Sequence, residues 1–228
     1  WRLNGPYIRL STSASSKYPH LPQRFLRVSG GGRGIYVDSP NCRVFRCEVF
    51  NTASAGIYVA ETGDQSTIEN CLVWENGDRG INVSGADRVS ILNCTVLRSR
   101  LGGVSLDTAL QATLRNNILI ADGSGQYAVY ASRSTLDASD YNDLWVTNGA
   151  KIGAFNGDRA TLTDWRQATG NDQHSLSRDP LLVDIANGDF HLQSTGGSYH
   201  RGRFEPDDLN SPGIDTGFGS EGSEPIPN

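Results

Sequence analysis

A solenoid of short parallel strands is the fold this sequence predicts, and three observations predict it. Two units return in phase at intervals of 22 to 24 residues. The first reads Val44-Phe45-Arg46-Cys47-Glu48-Val49, Ile68-Glu69-Asn70-Cys71-Leu72-Val73, Ile91-Leu92-Asn93-Cys94-Thr95-Val96 and Leu114-Arg115-Asn116-Asn117-Ile118-Leu119. The second reads Gly34-Ile35-Tyr36-Val37, Gly56-Ile57-Tyr58-Val59, Gly80-Ile81-Asn82-Val83 and Gly103-Val104-Ser105-Leu106. Within each copy apolar residues alternate with polar or aromatic ones, the period of two of a strand with one buried face. A fixed period in this range marks units that cannot bury their own apolar face and must stack on their neighbours.

Two to three strands per turn, each turn too short for a crossover helix, leave a parallel β-helix, in which like strands of successive turns pair side by side. Parallel crossovers are overwhelmingly right-handed. The expectation is therefore an all-β, single-stranded right-handed parallel β-helix of about five to seven coils with a period of about 23 residues. A leucine-rich repeat has an overlapping period, but its Leu-x-x-Leu-x-Leu spacing and asparagine ladder are absent. Five recognisable turns would span about 20 Å of axis at strand spacing.

The elements follow in order. Residues 1–30 read as a lead-in segment with an incomplete first coil, holding Pro6, the Ser-rich stretch Ser11 to Ser16 and the apolar Phe25-Leu26-Arg27-Val28. The chain opens at Trp1 without any methionine and stops at Pro225-Ile226-Pro227-Asn228, which reads as a processed or cut piece of a longer protein. Residues 31–141 are the repeats. Ile35 and Val37 should point inward and Tyr36 outward, and the glycine heading each copy suits a sharp corner at positive φ. A degenerate fifth copy is Ala128-Val129-Tyr130-Ala131 with Leu136-Asp137-Ala138-Ser139-Asp140-Tyr141.

From about residue 141 the period fails, and residues 142–228 read as a cap or extension of the same domain. Thr161 with Asp164 three residues on, and Gly170 as a stop, frame one short helix. Its part is to lay Leu162 and Trp165 over the last coil. Pro180-Leu181-Leu182-Val183 and Asp189-Phe190-His191-Leu192 look like strands that extend or close the barrel.

Composition narrows the function classes. The chain of 228 residues, 37% hydrophobic with 26 Gly and 9 Pro, suits one turn-dense elongated core. No apolar run is long enough to insert in a membrane. The net charge of −5 with scattered basic residues does not make a nucleic-acid surface. Cys47, Cys71 and Cys94 hold one repeat position and should stack inward as buried thiols, continued by Asn117. A disulfide involving Cys42 and a metal site are the lesser alternatives; His20, His174, His191 and His200 all lie outside the repeats.

Asp140-Tyr141-Asn142-Asp143-Leu144-Trp145, Asp179-Pro180-Leu181-Leu182-Val183, Gly188-Asp189-Phe190-His191-Leu192-Gln193-Ser194 and Ser211-Pro212-Gly213-Ile214-Asp215-Thr216-Gly217 occur in that order. This succession, with the Asn-Cys-x-Val repeats, resembles the large family of secreted bacterial proteins with right-handed parallel β-helix repeats. In that family the last motif commonly reads Ser-Pro-Ala-Ile-Asp-Ala-Gly, so Gly213 and Thr216 depart from it. The resemblance implies an extracellular or cell-surface setting, in long surface proteins or in relatives described as polysaccharide-lyase-like. Fold membership does not convey an activity.

Candidate site residues come from the second unit. Its outward positions Tyr36, Tyr58, Asn82, Ser105 and Tyr130 form one column, in which Tyr36, Tyr58, Asn82 and Tyr130 are candidates for binding a polysaccharide or cell-surface glycan. Aromatic rings can lie on sugar faces, and they also stabilise a ladder by cross-strand packing. Asp38, Glu61, Asp107 and Arg133 project beyond the strand ends. A glycosidase needs two carboxylates flanking the scissile bond, and Asp38 with Glu61 or Glu61 with Asp107 are the pairs available. A lyase needs a base and a neutraliser of the uronate carboxylate, for which Tyr130 and Arg133 are candidates. Acids at strand ends also occur for turn reasons alone. No cofactor is called for; calcium is the one ion such chemistry would recruit, although no Asp-rich calcium spacing is present. The glycosylation triplets at Asn82 and Asn93 would be idle in a bacterial protein. The sequence thus predicts a structural or glycan-contacting module, with a polysaccharide lyase or hydrolase as the alternative. An end-to-end filament subunit is a third, because exposed terminal strands can self-associate.

Overall fold

The computed structural model describes residues 8–10, 26–200 and 202–218. His20, Trp1, Pro6, Ser11 to Ser16, Phe25 and Pro225 to Asn228 lie outside them. The described chain is a parallel β-solenoid of about five turns. Each turn contributes a strand to each of three sheets. Sheet 1 stacks Ile8–Leu10, Ile35–Val37, Ile57–Val59, Ile81–Ser84, Gly102–Asp107, Tyr127–Ser132 and Lys151–Phe155. Sheet 2 stacks Arg43–Phe45, Thr67–Glu69, Ser90–Leu92, Ala112–Arg115 and Leu136–Asp140. Sheet 3 stacks Leu26–Ser29, Cys47–Phe50, Leu72–Trp74, Thr95–Leu97, Ile118–Asp122 and Asp143–Thr147.

Register follows the repeat. Ile35 pairs with Ile57, Ile57 with Ile81, Ile81 with Val104 and Val104 with Val129, all buried, while Tyr36, Tyr58 and Asn82 face out between them. The six-residue unit is two strands and a corner. Its third residue, Arg46, Asn70, Asn93, Asn116 or Tyr141, sits at φ between 51° and 58° and turns the chain from sheet 2 to sheet 3. Asparagine suits that place because its short polar side chain tolerates the left-handed region. A second such column, Asn51, Glu75, Arg98 and Asn148, turns the chain out of sheet 3.

The glycines that head the sheet 1 strands have a different reason from the one expected. None of Gly34, Gly56, Gly80 and Gly103 adopts a positive φ. They are needed because neighbouring coils come too close for a side chain. A Cβ on Gly56 would meet Val73 Cγ1 at 2.7 Å, and one on Gly34 or Gly80 would collide with Val49 or Val96.

Inside the sheet 2–sheet 3 corner runs the expected column Cys47, Cys71, Cys94, Asn117, extended by Asn142 and Ser175. Cys71 and Cys94 thiols donate to the carbonyls of Val44 and Ile68 one coil below. Asn117 and Asn142 side-chain amides make the same bond to Ile91 and Leu114, and their carbonyls accept from the backbone N–H of Cys94 and Asn117. One geometry therefore serves both residue types. None of the four cysteines, Cys42 included, is in a disulfide. The hydrogen bond to Cys71, then burial, push the Cys47 thiol well up, so it is a packing group rather than a thiolate.

The coil outlasts the sequence period. Asp143–Thr147 pairs with Ile118–Asp122, and Lys151–Phe155 with Tyr127–Ser132, so stacking continues past residue 141. The spacing persists, and the pattern is lost because the residues change: Gly153 and Ala154 stand where earlier coils carry Val129 and Tyr130. Helix α1 (Leu162–Thr169) then closes this end with the expected capping box of Thr161 and Asp164 and a left-handed Gly170. Trp165 is 0% exposed, packs on Gly153, and donates its indole N–H to Asp172. Strand Asp158–Arg159 pairs antiparallel with the last sheet 1 strand, while Asp172 and Leu176 bond Ser139 and Leu144 on the last strands of sheets 2 and 3. These contacts occupy strand edges that would otherwise invite further pairing.

The two later strands do not close the barrel. Leu182–Asp184 and Asp189–Leu192 pair with each other, antiparallel. This hairpin belongs to an arm that folds back along the outside of sheet 3, where Leu182, Ile185, Phe190 and Leu192 cover Leu72, Trp74, Leu97, Ile118, Ile120 and Trp145. An apolar outer row, Phe50, Trp74, Leu97, Ile120 and Trp145 in register, is what requires the cover.

Candidate functional sites

Sheet 1 presents the predicted row. Tyr36 pairs with Tyr58, Tyr58 with Asn82, Asn82 with Ser105 and Ser105 with Tyr130. Tyr36 and Tyr58 stack with centroids 5.5 Å apart and planes within 6°. Arg33, the residue before the corner glycine Gly34, lays its guanidinium 4.0 Å from the Tyr58 centroid and 5.3 Å from that of Tyr36. Arg79, at the same place two coils on, lies over Tyr130 at 4.8 Å and donates to the Leu101 carbonyl. Burial holds the Arg79 guanidinium below its ordinary value. The ring faces are thus partly occupied by one another and by arginine, while the ring edges and hydroxyls stay outward. The arginines were missed in the sequence because they lie just outside the repeating units.

The four strand-end residues do not converge on one point. Val37 pairs with Val59, so Asp38 sits opposite Ala60 and Glu61 is one residue further along the next coil. Strand spacing puts those two backbones about 6 Å apart. Asp107 pairs with Ser84, placing it in the column of Asp38 but three coils away, about 14 Å along the axis. Glycosidase carboxyls stand about 5 to 9.5 Å apart; Glu61 lies two coils from Asp107 and one residue off its column, about 10 Å between backbones, so register favours Asp38 with Glu61 over Glu61 with Asp107. Arg133, in a left-handed turn, holds Asp107 at 3.2 Å across solvent-exposed side chains. Such a surface pair contributes little to stability.

The sheet 2–sheet 3 corner forms a second region that the sequence did not single out. Asn70 and Asn93, with Arg46, Thr95, Phe190 and His191, line a groove of about 470 Å³ between the coil and the arm. One coil on, Asn116, Tyr141, Asp143 and His174 line a cavity of about 180 Å³, with Leu192 and Thr216 of the arm. His174 stacks on Tyr141 at 4.9 Å and 10°, fixed by Asp140, whose carboxylate takes the His174 ring Nδ1 at 2.7 Å and its backbone N–H. Phe218 leans on the Tyr141 ring and donates its backbone N–H to Asn116 Oδ1 at 2.8 Å. The segments Asp140 to Trp145 and Ser211 to Gly217, separated by nearly seventy residues in the chain, therefore meet at one cavity. The signal that could have found it is the recurrent third residue of the six-residue unit. Read as part of a single strand, it concealed a corner.

Each of the other two described histidines has an acidic neighbour: His191 Nδ1 lies 2.6 Å from Asp189, and His200 Nε2 3.0 Å from Asp207. Ser198 also donates to Asp207, and its hydroxyl meets the same His200 nitrogen that faces the carboxylate. In a catalytic triad the imidazole takes the serine proton on one ring nitrogen while the acid holds the ring by the other; here Ser198 and Asp207 face the same nitrogen, so the cluster is not arranged as a triad. Among the described residues no group of three or more His, Cys, Asp or Glu is placed to hold a metal, and no helix is long and apolar enough to cross a membrane.

No curated protein matches the chain. The family described as "Right handed beta helix region" matches residues 26–164, which is more than half of the chain and covers the coils from the first sheet 3 strand to the start of α1. With the stacked three-sheet coil in register over the same span, the chain belongs to the right-handed β-helix family.

Proposed function

We propose that this chain is a β-helix module of a secreted or cell-surface bacterial protein that holds an acidic polysaccharide against the outer face of sheet 1. The observation that carries this reading is Arg33. Its guanidinium lies on the Tyr36–Tyr58 stack, and among the described residues it has no acidic partner; its buried Nε has no acceptor. A half-buried cation without a counter-ion favours an anion from outside. A uronate carboxylate supplies one, while the hydroxyls of Tyr58 and Tyr130 and the amide of Asn82 offer hydrogen bonds along the row. The arm covers sheet 3 and leaves this face half-exposed. The extracellular setting rests on the likeness to secreted repeat proteins.

A second reading, hydrolysis or lyase chemistry on the same polymer, draws on the spacing of Asp38 and Glu61. One experiment separates the two. Electrophoresis of the purified chain through gels containing polygalacturonate, alginate or a neutral glucan, with assays for unsaturated products and new reducing ends, should give retardation by the uronate gels without products. Arg33→Gln should lose most of that retardation. Equal retardation of wild type and variant, or none in any gel, sinks the binding proposal. Products that disappear in Glu61→Gln replace it with catalysis.

A further inference from the structure

Asp143 is out of keeping with its surroundings. It occupies an outward position of sheet 3, in register with Ile118 and Thr95, yet the arm leaves it only 4% exposed. Its Oδ1 accepts the Arg178 backbone N–H at 3.1 Å. Its Oδ2 is buried with no donor. Burial, opposed in part by that hydrogen bond and reinforced by Asp179, pushes the carboxyl up to about 6. An ionised oxygen left like this costs the fold stability. A natural residue that costs stability and lines a cavity is a candidate for function.

The cavity limits what could supply the missing donor. Asn117 and Asn142 belong to its wall, but their amides are spent in the inner ladder. Asn116 uses its Oδ1 on Phe218, leaving its amide N–H groups to donate. A divalent cation would want six to eight oxygens, whereas Tyr141, Leu176 and Leu192 present much carbon. An acidic ligand would be repelled by Asp143 and Asp179. About 180 Å³ falls below the roughly 300–1,000 Å³ of pockets for drug-sized ligands, so the occupant is a single ring rather than a chain. The neighbouring groove, one coil away on the same corner, presents the side-chain amides of Asn93 and Asn70, which have no hydrogen-bond partner among the described residues. They recur once per coil, about 4.8 Å apart along the axis.

We infer that this corner binds the end of a neutral oligosaccharide: the terminal ring enters the cavity, donating a hydroxyl to Asp143 Oδ2 and accepting from Asn116, and the next rings run over Asn93 and Asn70. The site shares with the proposed function only the class of ligand. It lies on another face and selects against the charge that sheet 1 selects for.

The test is titration calorimetry of the full chain with cellotetraose, maltotetraose, mannotetraose and xylotetraose, with saturation-transfer NMR on any that bind. At least one should bind, with transfer strongest at one terminal ring. Asp143→Asn and Asn93→Ala should each weaken it about tenfold, because a charge-assisted bond becomes neutral in one and a groove amide is lost in the other. Asn93 is exposed but holds the left-handed corner, so Asn93→Gly, which keeps that φ without strain, must weaken binding as Asn93→Ala does. Arg33→Gln should bind the tetrasaccharide as wild type does. Failure of all four sugars, unchanged affinity in both corner variants, transfer spread evenly over the rings, or loss of binding in Arg33→Gln would each overturn the inference. Lost uronate retardation with tetrasaccharide binding intact would overturn the sheet 1 proposal alone.

Discussion

The outer faces of sheet 1 and sheet 3 are carried by the same coils, yet one is left to solvent and the other is covered by the chain's own arm. On sheet 1 the outward row is Tyr36, Tyr58, Asn82, Ser105 and Tyr130, which, the small and buried Ser105 apart, meets water through hydroxyls and amides. On sheet 3 it is Phe50, Trp74, Leu97, Ile120 and Trp145, which cannot. A solenoid buries its inner faces by stacking alone, and the outer faces are free to differ. Their composition decides what else the molecule must do. An apolar outer row calls for a lid, and the lid in turn creates the cavity at its edge where Asp143 is trapped.

Ile120→Asp should have the largest effect. Ile120 is buried under Leu182, and an unpaired charge there costs about 3–5 kcal/mol if the arm stays in place. The outcome expected is a lower melting temperature together with faster proteolysis between residues 177 and 218. A variant that melts and resists protease like wild type would mean that the arm is not held by this face.

Much of this contrast was legible in the sequence and some of it was overlooked. The inner strands were legible because alternation over Ile35 to Val37 and its copies is dictated by burial. The thiol column was legible because Cys47, Cys71 and Cys94 keep one phase. The row from Phe50 to Trp145 has the same phase, but it begins one residue past the six-residue unit and mixes aromatic with aliphatic residues, so no single letter repeats. The corner glycines were recognised as special for the wrong physical reason, since φ cannot be read from a glycine and close approach of a neighbouring coil depends on packing. Asp143 was passed over because a carboxyl at an outward position of a strand is ordinarily solvated; only the returning arm makes it buried.

Asp143→Asn sharpens the comparison at intermediate size. The folded carboxyl sits at about 6 against an ordinary 3.8, so the native state holds this proton more tightly than the unfolded chain does. Its favourable contribution is complete below 3.8 and is lost as pH rises through about 6. Wild type should therefore lose stability relative to Asp143→Asn over that window, by about 3 kcal/mol at most from a shift of roughly two units. Denaturant melts at pH 4 and pH 7.5 check it: the difference between the two proteins should move toward the variant at the higher pH. A gap that does not change with pH would mean that the buried carboxyl is satisfied in solution.

Tyr58→Ala should have the smallest effect on stability. Ile57 and Val59 hold the strand in the core whatever stands between them, and the ring stacks on Tyr36 while half-exposed. A stacked pair contributes about 0.5–1.5 kcal/mol beyond its buried area, and solvent exposure places this pair toward the lower end. A melting point displaced by only a few degrees, with the arm as protease-resistant as before, would show that the open face is dispensable to the fold. A loss as large as that of Ile120→Asp would show the reverse: the tyrosine ladder would then be a structural seam, and the difference between the two faces would lie in the means of covering them rather than in whether they need cover.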